Sequence, residues 1–194
     1  MRKRAVIVID MQNDFCDQDG VYPRHGMDRS MVAKMIPNLV RLVSEARRKD
    51  VPVLFVKTVY ESAEELGIVG ERRPFLMKEG LRKGSWGSDI VLELKPRPED
   101  IIIEKKRFSA FYQTRLDEAL REIGANELIV TGVLTDVCVE STVRDAFFRD
   151  YYTVVPSDSV ASYRQETHDA SLKIMGLVFS KVLGSAQVIE TFGN

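Results

Sequence analysis

Short apolar runs rich in β-branched residues recur along the chain. They lie at Ala5–Ile9, Val53–Val59, Ile101–Ile103, Leu128–Val133 and Thr153–Pro156, with a weaker sixth at Ser180–Leu183. The runs are apolar nearly throughout instead of alternating, the pattern of strands covered on both faces in a parallel sheet. Between them the period becomes helical. Leu39, Val40, Val43 and Ala46 repeat behind Pro37, which is expected near the helix start. Arg47, Arg48 and Lys49 crowd the other end, where the macrodipole favours cations. Thr114 is expected to cap a helix carrying Leu116, Ala119, Leu120 and Ile123, with Gly124 as its stop. After Cys138, the residues Val139, Val143, Ala146 and Phe147 form one apolar face. A further helix is expected from about Gln165 to Phe179, and Ser185 is placed to cap a short final one. One segment breaks the alternation. Tyr60 to Pro98 carries Gly67, Gly70, Gly80, Gly84 and Gly87 and has no sustained period, which marks it as a lid or binding loop.

Strand–helix alternation predicts an α/β fold, a three-layer α/β/α Rossmann-like domain with a mostly parallel six-stranded sheet. At 194 residues and 44% hydrophobic, the chain suffices for one core, so a single domain over residues 1–194 is expected. The 28 basic and 29 acidic side chains leave a net charge of −1, and there is no long basic stripe. Nucleic acid is therefore not an expected partner. Met1-Arg2-Lys3-Arg4 precedes an apolar run that stops at Asp10, too short for a signal peptide core or a membrane span. It reads as a buried strand of a cytoplasmic protein with no membrane partner. Two cysteines without a CxxC make no disulfide framework and suit a reducing compartment. The only histidines, His25 and His168, exclude a three-histidine zinc site. Neither a Walker sequence nor GxGxxG is present, so nothing points to a nucleotide, and no metal or cofactor is expected.

Ligands of open α/β sheets bind outside the carboxyl ends of the strands, which directs attention to the residues there. Asp10 ends the first strand. It reads either as a cap or structural acceptor, or as a partly desolvated base. Cys138 follows the fourth strand in Gly132-Val133-Leu134-Thr135-Asp136-Val137-Cys138. With Thr135 or Asp136 as N-cap it falls in the first turn of a helix, where free amides and the dipole favour a thiolate. A small buried apolar cysteine is the alternative. Lys105 follows three isoleucines. As a buried ammonium it needs an anionic partner, which Asp10 or Cys138 supplies; otherwise it is a solvated surface lysine, as Lys106 is expected to be. Cys16, in a polar stretch, reads as structural, and His168 as a helix-surface residue. Trp86, in the glycine-rich segment, either walls a pocket or anchors its loop.

Three ordered motifs stand out: Ala5-Val6-Ile7-Val8-Ile9-Asp10-Met11-Gln12-Asn13-Asp14-Phe15, Lys105-Lys106-Arg107-Phe108-Ser109-Ala110-Phe111, and the segment Gly132 to Thr142 around Cys138. They are similar to those of the isochorismatase-like cysteine hydrolases, and within them to the metal-free, N-carbamoylsarcosine amidase-like amidases. The resemblance implies an Asp10–Lys105–Cys138 triad, Lys105 being chosen over Lys106 because it stands four residues before Ser109. It implies a cis peptide at Val133–Leu134 and an oxyanion hole made by the backbone amides of Leu134 and Cys138. Metal-containing nicotinamidases carry Asp-x-His after the second strand, where this chain reads Lys57-Thr58-Val59-Tyr60-Glu61. The resemblance thus implies a metal-free hydrolase that cleaves the C–N bond of a small amide, carbamoyl or ureido substrate through a cysteine thioester. It also implies a homo-oligomer. An isochorismatase-type enol-ether hydrolase using Asp10 as general acid, and a non-catalytic binding homologue, remain the alternatives. Phe15, Trp86 and Phe111 are the expected pocket walls.

Overall fold

The computed structural model describes residues 2–193. Five longer strands carry the apolar runs: β1 (Arg4–Ile9), β2 (Val53–Thr58), β3 (Ile101–Lys105), β4 (Glu127–Val133) and β5 (Tyr152–Pro156). Two short ones follow, β6 (Val160–Ala161) and β7 (Lys181–Leu183). The sheet is therefore seven-stranded, not six-stranded. The extra strand, β6, is two residues long, too short to show any period. It continues β4 upward, pairing Gly132 with Val160 and Val133 with Ala161, past the point where β5 stops pairing. Every pairing between these strands is parallel.

The helices, in chain order, are α1 (Asn13–Cys16), α2 (Val21–Arg24), α3 (Ser30–Arg48), α4 (Ile68–Arg72), α5 (Pro74–Lys78), α6 (Leu116–Glu122), α7 (Glu140–Phe147), α8 (Gln165–Ile174) and α9 (Ser185–Glu190). Three layers result from the two-residue period of β1. Ala5, Ile7 and Ile9 pack with Leu116 and Leu120 of α6 and Val143 of α7. Val6 and Val8 face the other way, into a core with Leu39 and Leu42 of α3 and Val188 of α9. Pro37 does not open α3 but lies inside it. Val32 and Met35, upstream of the proline, are buried on the same stripe as Leu39, and that packing carries the helix through the missing amide. The Thr114 hydroxyl does accept from the Leu116 amide (3.2 Å), although Arg115 is the residue immediately before α6. No helix among the described residues is long and apolar enough to cross a membrane.

The strand order is β3-β2-β1-β4-β5-β7. From β1 the chain winds outward through β2 to β3, then crosses back to β4 and winds the other way. The reversal lies between β1 and β4, where the carboxyl ends of neighbouring strands part to leave a crevice. Gly132, near the end of β4, keeps that seam tight. Its φ is +102°, and a Cβ there would meet the Ile9 carbonyl oxygen at 2.1 Å.

The segment Tyr60–Pro98 is not unstructured. It contains α4, α5 and three single 3₁₀ turns, and it is pinned over the crevice by the polar residues that follow β1. The Gln12 amide donates to the carbonyls of Thr58 (2.8 Å) and Ser88 (3.0 Å) and accepts from the Thr58 amide (2.8 Å). Asn13 donates to the Trp86 carbonyl (2.8 Å). The Asp14 carboxylate accepts from the amides of Val21 (3.0 Å) and Leu81 (2.6 Å). Gly87 lies against that carboxylate so closely that a Cβ would stand 2.3 Å from it.

Candidate active site

Asp10 is the first residue beyond β1 and has a φ of +51°, in the left-handed region that aspartate tolerates better than most residues. This kink turns its carboxylate back over the strand ends. Lys105 is the last residue of β3, in register with Thr58 of β2. Two interstrand spacings of about 4.8 Å separate β3 from β1, so only a long side chain crosses β2 to reach Asp10. Lys105 does. Its Nζ lies 2.8 Å from Asp10 Oδ2 and 3.5 Å from Cys138 Sγ. It also donates to the Arg107 carbonyl (3.0 Å) and to the Thr58 hydroxyl (2.8 Å).

Thr58 is the residue that sequence reasoning missed. Its hydroxyl accepts from Lys105 and donates to Asp10 Oδ1 at 2.9 Å, bridging the buried ion pair. Asp10 Oδ1 is thereby occupied, while Oδ2 touches the lysine and has no hydrogen-bond partner among the described residues. Sequence position alone draws attention to the carboxyl ends of β1, β3 and β4, where Asp10, Lys105 and Cys138 follow apolar runs. The end of β2 carries both Thr58 and Tyr60, and the same rule applied there finds them.

Cys138 sits in a wide π-type turn, Thr135–Val139, that leads into α7. Neither Thr135 nor Asp136 caps it, because both side chains are engaged elsewhere. The Thr135 hydroxyl pairs with His168 Nδ1 (2.8 Å), and Asp136 accepts from the Ser162 hydroxyl (2.5 Å). The turn is instead closed by the Leu134 carbonyl, which accepts from the amides of Val137 (3.0 Å) and Val139 (3.1 Å). The Val133–Leu134 peptide is cis. His168 is not a helix-surface residue. It is 7% exposed, facing the nucleophile turn from α8, where it holds Thr135 rather than the cysteine. Cys16 is buried at the end of α1.

Electrostatics correct one expectation about Cys138. Burial pushes its thiol well above the ordinary cysteine range; Lys105 opposes the shift and the nearby Asp10 adds to it. The resting group is a neutral thiol, so the helix start does not by itself generate a thiolate. For Lys105, burial disfavours the ammonium, but Asp10 and Cys138 more than offset it, and the net shift is upward. Lys105, Asp10 and Cys138 are thus held in one buried cluster.

The cluster opens on a narrow cavity of about 40 Å³. Phe15 lines it, stacked on Tyr22 at 4.5 Å between ring centroids, and Tyr60, Phe108 and Leu134 complete the walls near the sulfur. Trp86 and Phe111 lie outside it. The Trp86 ring, 51% exposed, points to solvent, and it is the backbone carbonyl of this residue that anchors the loop. Phe111 turns under α7 because the neighbouring Ala110 amide donates to the Thr142 hydroxyl (3.0 Å), and its ring packs on Tyr151 in the core. Larger hollows of about 300 and 510 Å³ surround Arg2 and Lys181 at the opposite ends of the strands and contain no cysteine. Among the described residues, no three His, Cys, Asp or Glu side chains converge as a metal ion requires.

Known proteins are similar to this chain in sequence and in fold. A ureidoacrylate amidohydrolase of Serratia proteamaculans is 38% identical over 172 residues, covering 81% of this chain and 69% of that protein. Another of that name, from Yersinia enterocolitica, is 36% identical over 204 residues, covering 98% and 87%. Among solved structures, a cysteine hydrolase from Pseudomonas syringae superposes with a TM-score of 0.89 at 26% identity, covering 98% of this chain and 92% of that one. N-carbamoylsarcosine amidase from Thermoplasma acidophilum does so at 0.78 and 28%, covering 95% and 97%. The isochorismatase domain model matches residues 4–187, and the chain therefore belongs to the isochorismatase family.

Proposed function

We propose that this protein is an amidohydrolase that cleaves the C–N bond of a small ureido or carbamoyl amide through a thioester on Cys138. The observation that carries the reading is one ammonium, that of Lys105, lying 3.5 Å from the Cys138 sulfur and 2.8 Å from the Asp10 carboxylate, at the point where the sheet reverses and a cleft opens. The curated relatives named for ureidoacrylate and the solved amidase named for N-carbamoylsarcosine support the substrate type.

The geometry supports the following roles. Asp10, through Oδ2, takes the thiol proton as Sγ attacks the substrate carbonyl carbon. Lys105 keeps its proton throughout and offsets the negative charge as it passes between sulfur and carboxylate. The oxyanion is received by the amides of Leu134 and Cys138; losing one such donor typically costs about 10²–10³ in rate. Collapse breaks the C–N bond, and Asp10 returns its proton to the departing nitrogen. A water then gives a proton to Asp10 and attacks the thioester, and expulsion of sulfur, reprotonated by Asp10, restores the thiol. Placing a neutral thiol beside a base, instead of a free thiolate, keeps the nucleophile unreactive until substrate is aligned.

The same reading makes the enzyme cytoplasmic and homo-oligomeric. Phe148 and Leu177, 74% and 73% exposed, supply apolar surface suited to a second copy. Ammonia release from a panel of ureidoacrylate, N-carbamoylsarcosine, biuret, maleamate and nicotinamide tests the activity. Turnover of a ureido or carbamoyl member that disappears in Cys138→Ala is the expected result. Undiminished turnover in that variant refutes the thioester and favours Asp10 acting alone as general acid.

A further inference from the structure

The cleft in front of Cys138 has a charge that the triad does not account for. Two arginines line it, Arg73 and Arg107, and no aspartate or glutamate does. Neither guanidinium has a carboxylate partner among the described residues. Arg73, in the link between α4 and α5, donates only to its neighbour's carbonyl, that of Arg72 (3.0 Å). Arg107 is half-buried and fixed through Nη1 alone, to the carbonyls of Glu65 (2.9 Å) and Lys106 (2.8 Å). Its remaining donors are not used by the protein.

Tyr22 adds a third donor. Its ring is 8% exposed, and its hydroxyl makes no hydrogen bond to a described residue while facing the same cleft. The phenol lies within electrostatic reach of both Cys138 and Arg73, and that of Tyr60 within reach of the triad and Arg107. Both tyrosines line the cleft together with the nucleophile and the two arginines. Thr58 apart, the rest of the lining, including Val69, Leu76, Leu81 and Val137, is apolar.

We infer that Arg73, Arg107 and the Tyr22 hydroxyl form a carboxylate subsite, so that the substrate is a short amide acid with its reacting carbonyl at Cys138 and its acid group at the arginines. This rests on Cys138 being the nucleophile. A guanidinium presents a planar fork that matches a carboxylate, and two forks, the half-buried one of Arg107 and the exposed one of Arg73, are left without an anion by the described residues. The narrow bore favours a flat carboxylate on a short carbon stem over a bulkier tetrahedral phosphate. Selection against neutral amides then comes from the far end of the substrate, in the segment Tyr60–Pro98 and the start of the Lys105 motif, not from the triad.

Ureidoacrylate and its methyl ester differ in that one charge. Calorimetric binding to Cys138→Ala, which has no nucleophile, reads the subsite apart from chemistry. The acid is expected to bind about tenfold tighter than the ester, and adding Arg73→Gln removes that advantage while leaving the ester within about twofold. Higher ionic strength weakens the acid alone. With Cys138 present, Arg73→Gln raises KM for the acid and leaves kcat within about threefold. Arg73 is the position of choice because it holds nothing else in place. Equal affinity for acid and ester, no binding of either, or an Arg73→Gln protein that still prefers the acid overturns the subsite. Displacement of the acid by inorganic phosphate more readily than by acetate overturns its assignment to carboxylates. Turnover surviving in Cys138→Ala is a separate failure, of the nucleophile, and the binding comparison still decides the subsite.

Discussion

Replacing Thr58 with valine removes one hydroxyl and almost no volume. In the native protein that hydroxyl donates to Asp10 Oδ1 (2.9 Å) and accepts from Lys105 Nζ (2.8 Å), with Asp10 and Lys105 fully out of solvent. A hydrogen bond to a charged group contributes about 1.5–3 kcal/mol, and a buried polar group left unpaired costs comparably. Lys105 keeps Asp10 and the Arg107 carbonyl as partners, so its loss is partial. The carboxylate oxygen has no replacement. The net cost is therefore nearer about 3 kcal/mol than the sum of two full bonds. For a chain of this size that lowers Tm by roughly 6–12 °C. Catalysis suffers through aim. A carboxylate no longer held at Oδ1 presents Oδ2 to the thiol for a smaller fraction of the time, and about 1.4–2.8 kcal/mol of lost positioning lowers kcat about 10–100-fold. KM stays close to native, since valine keeps the cleft wall. Thr58→Ser, which restores the hydroxyl, recovers most of kcat. Differential scanning calorimetry and steady-state ammonia release measure both effects. A Thr58→Val protein with native Tm and native kcat refutes the bridge, and a serine variant no better than valine refutes the role of the hydroxyl.

Other consequences follow from the same cluster and its surroundings. Because burial raises the Cys138 thiol above the ordinary cysteine range, its alkylation by iodoacetamide climbs with pH and reaches no plateau below about pH 9; peptide mapping that shows a plateau near neutrality contradicts the neutral resting thiol. His168 has its pKa lowered by burial, against opposing effects of Asp169 and Asp136. Below about pH 6.5 the unfolded chain therefore takes up a proton that the native imidazole refuses, and stability falls as pH drops through that value. Urea midpoints between pH 7.5 and 5 show the slope, and His168→Gln flattens it; an equal slope in both proteins defeats the assignment. Gly132→Ala forces a Cβ to within 2.1 Å of the Ile9 carbonyl in a left-handed backbone, a destabilisation of at least about 4 kcal/mol, read as insoluble or grossly destabilised protein.

Much of the fold was legible in the order of residues because burial on both faces writes itself locally. Five apolar runs became five strands, and the helical stripe of Leu39, Val43 and Ala46 became the buried face of α3. Asp10, Lys105 and Cys138 were legible as chemistry because each ends an apolar run or follows one, where a polar group needs a reason. Tertiary structure decided the rest. Whether Lys105 reaches Asp10 depends on strand order, since β2 lies between them, and strand order comes from long-range packing that no local period records. The protonation of Cys138 depends on how much water the completed cluster excludes, which a helix start does not reveal. Thr58, the pairing of His168 with Thr135, and the approach of Arg73 and Arg107 to one cleft each join residues 30 or more positions apart. Their side chains carry no sign of one another until the sheet closes, because the contact energy that unites them exists only once the chain between them has been packed away.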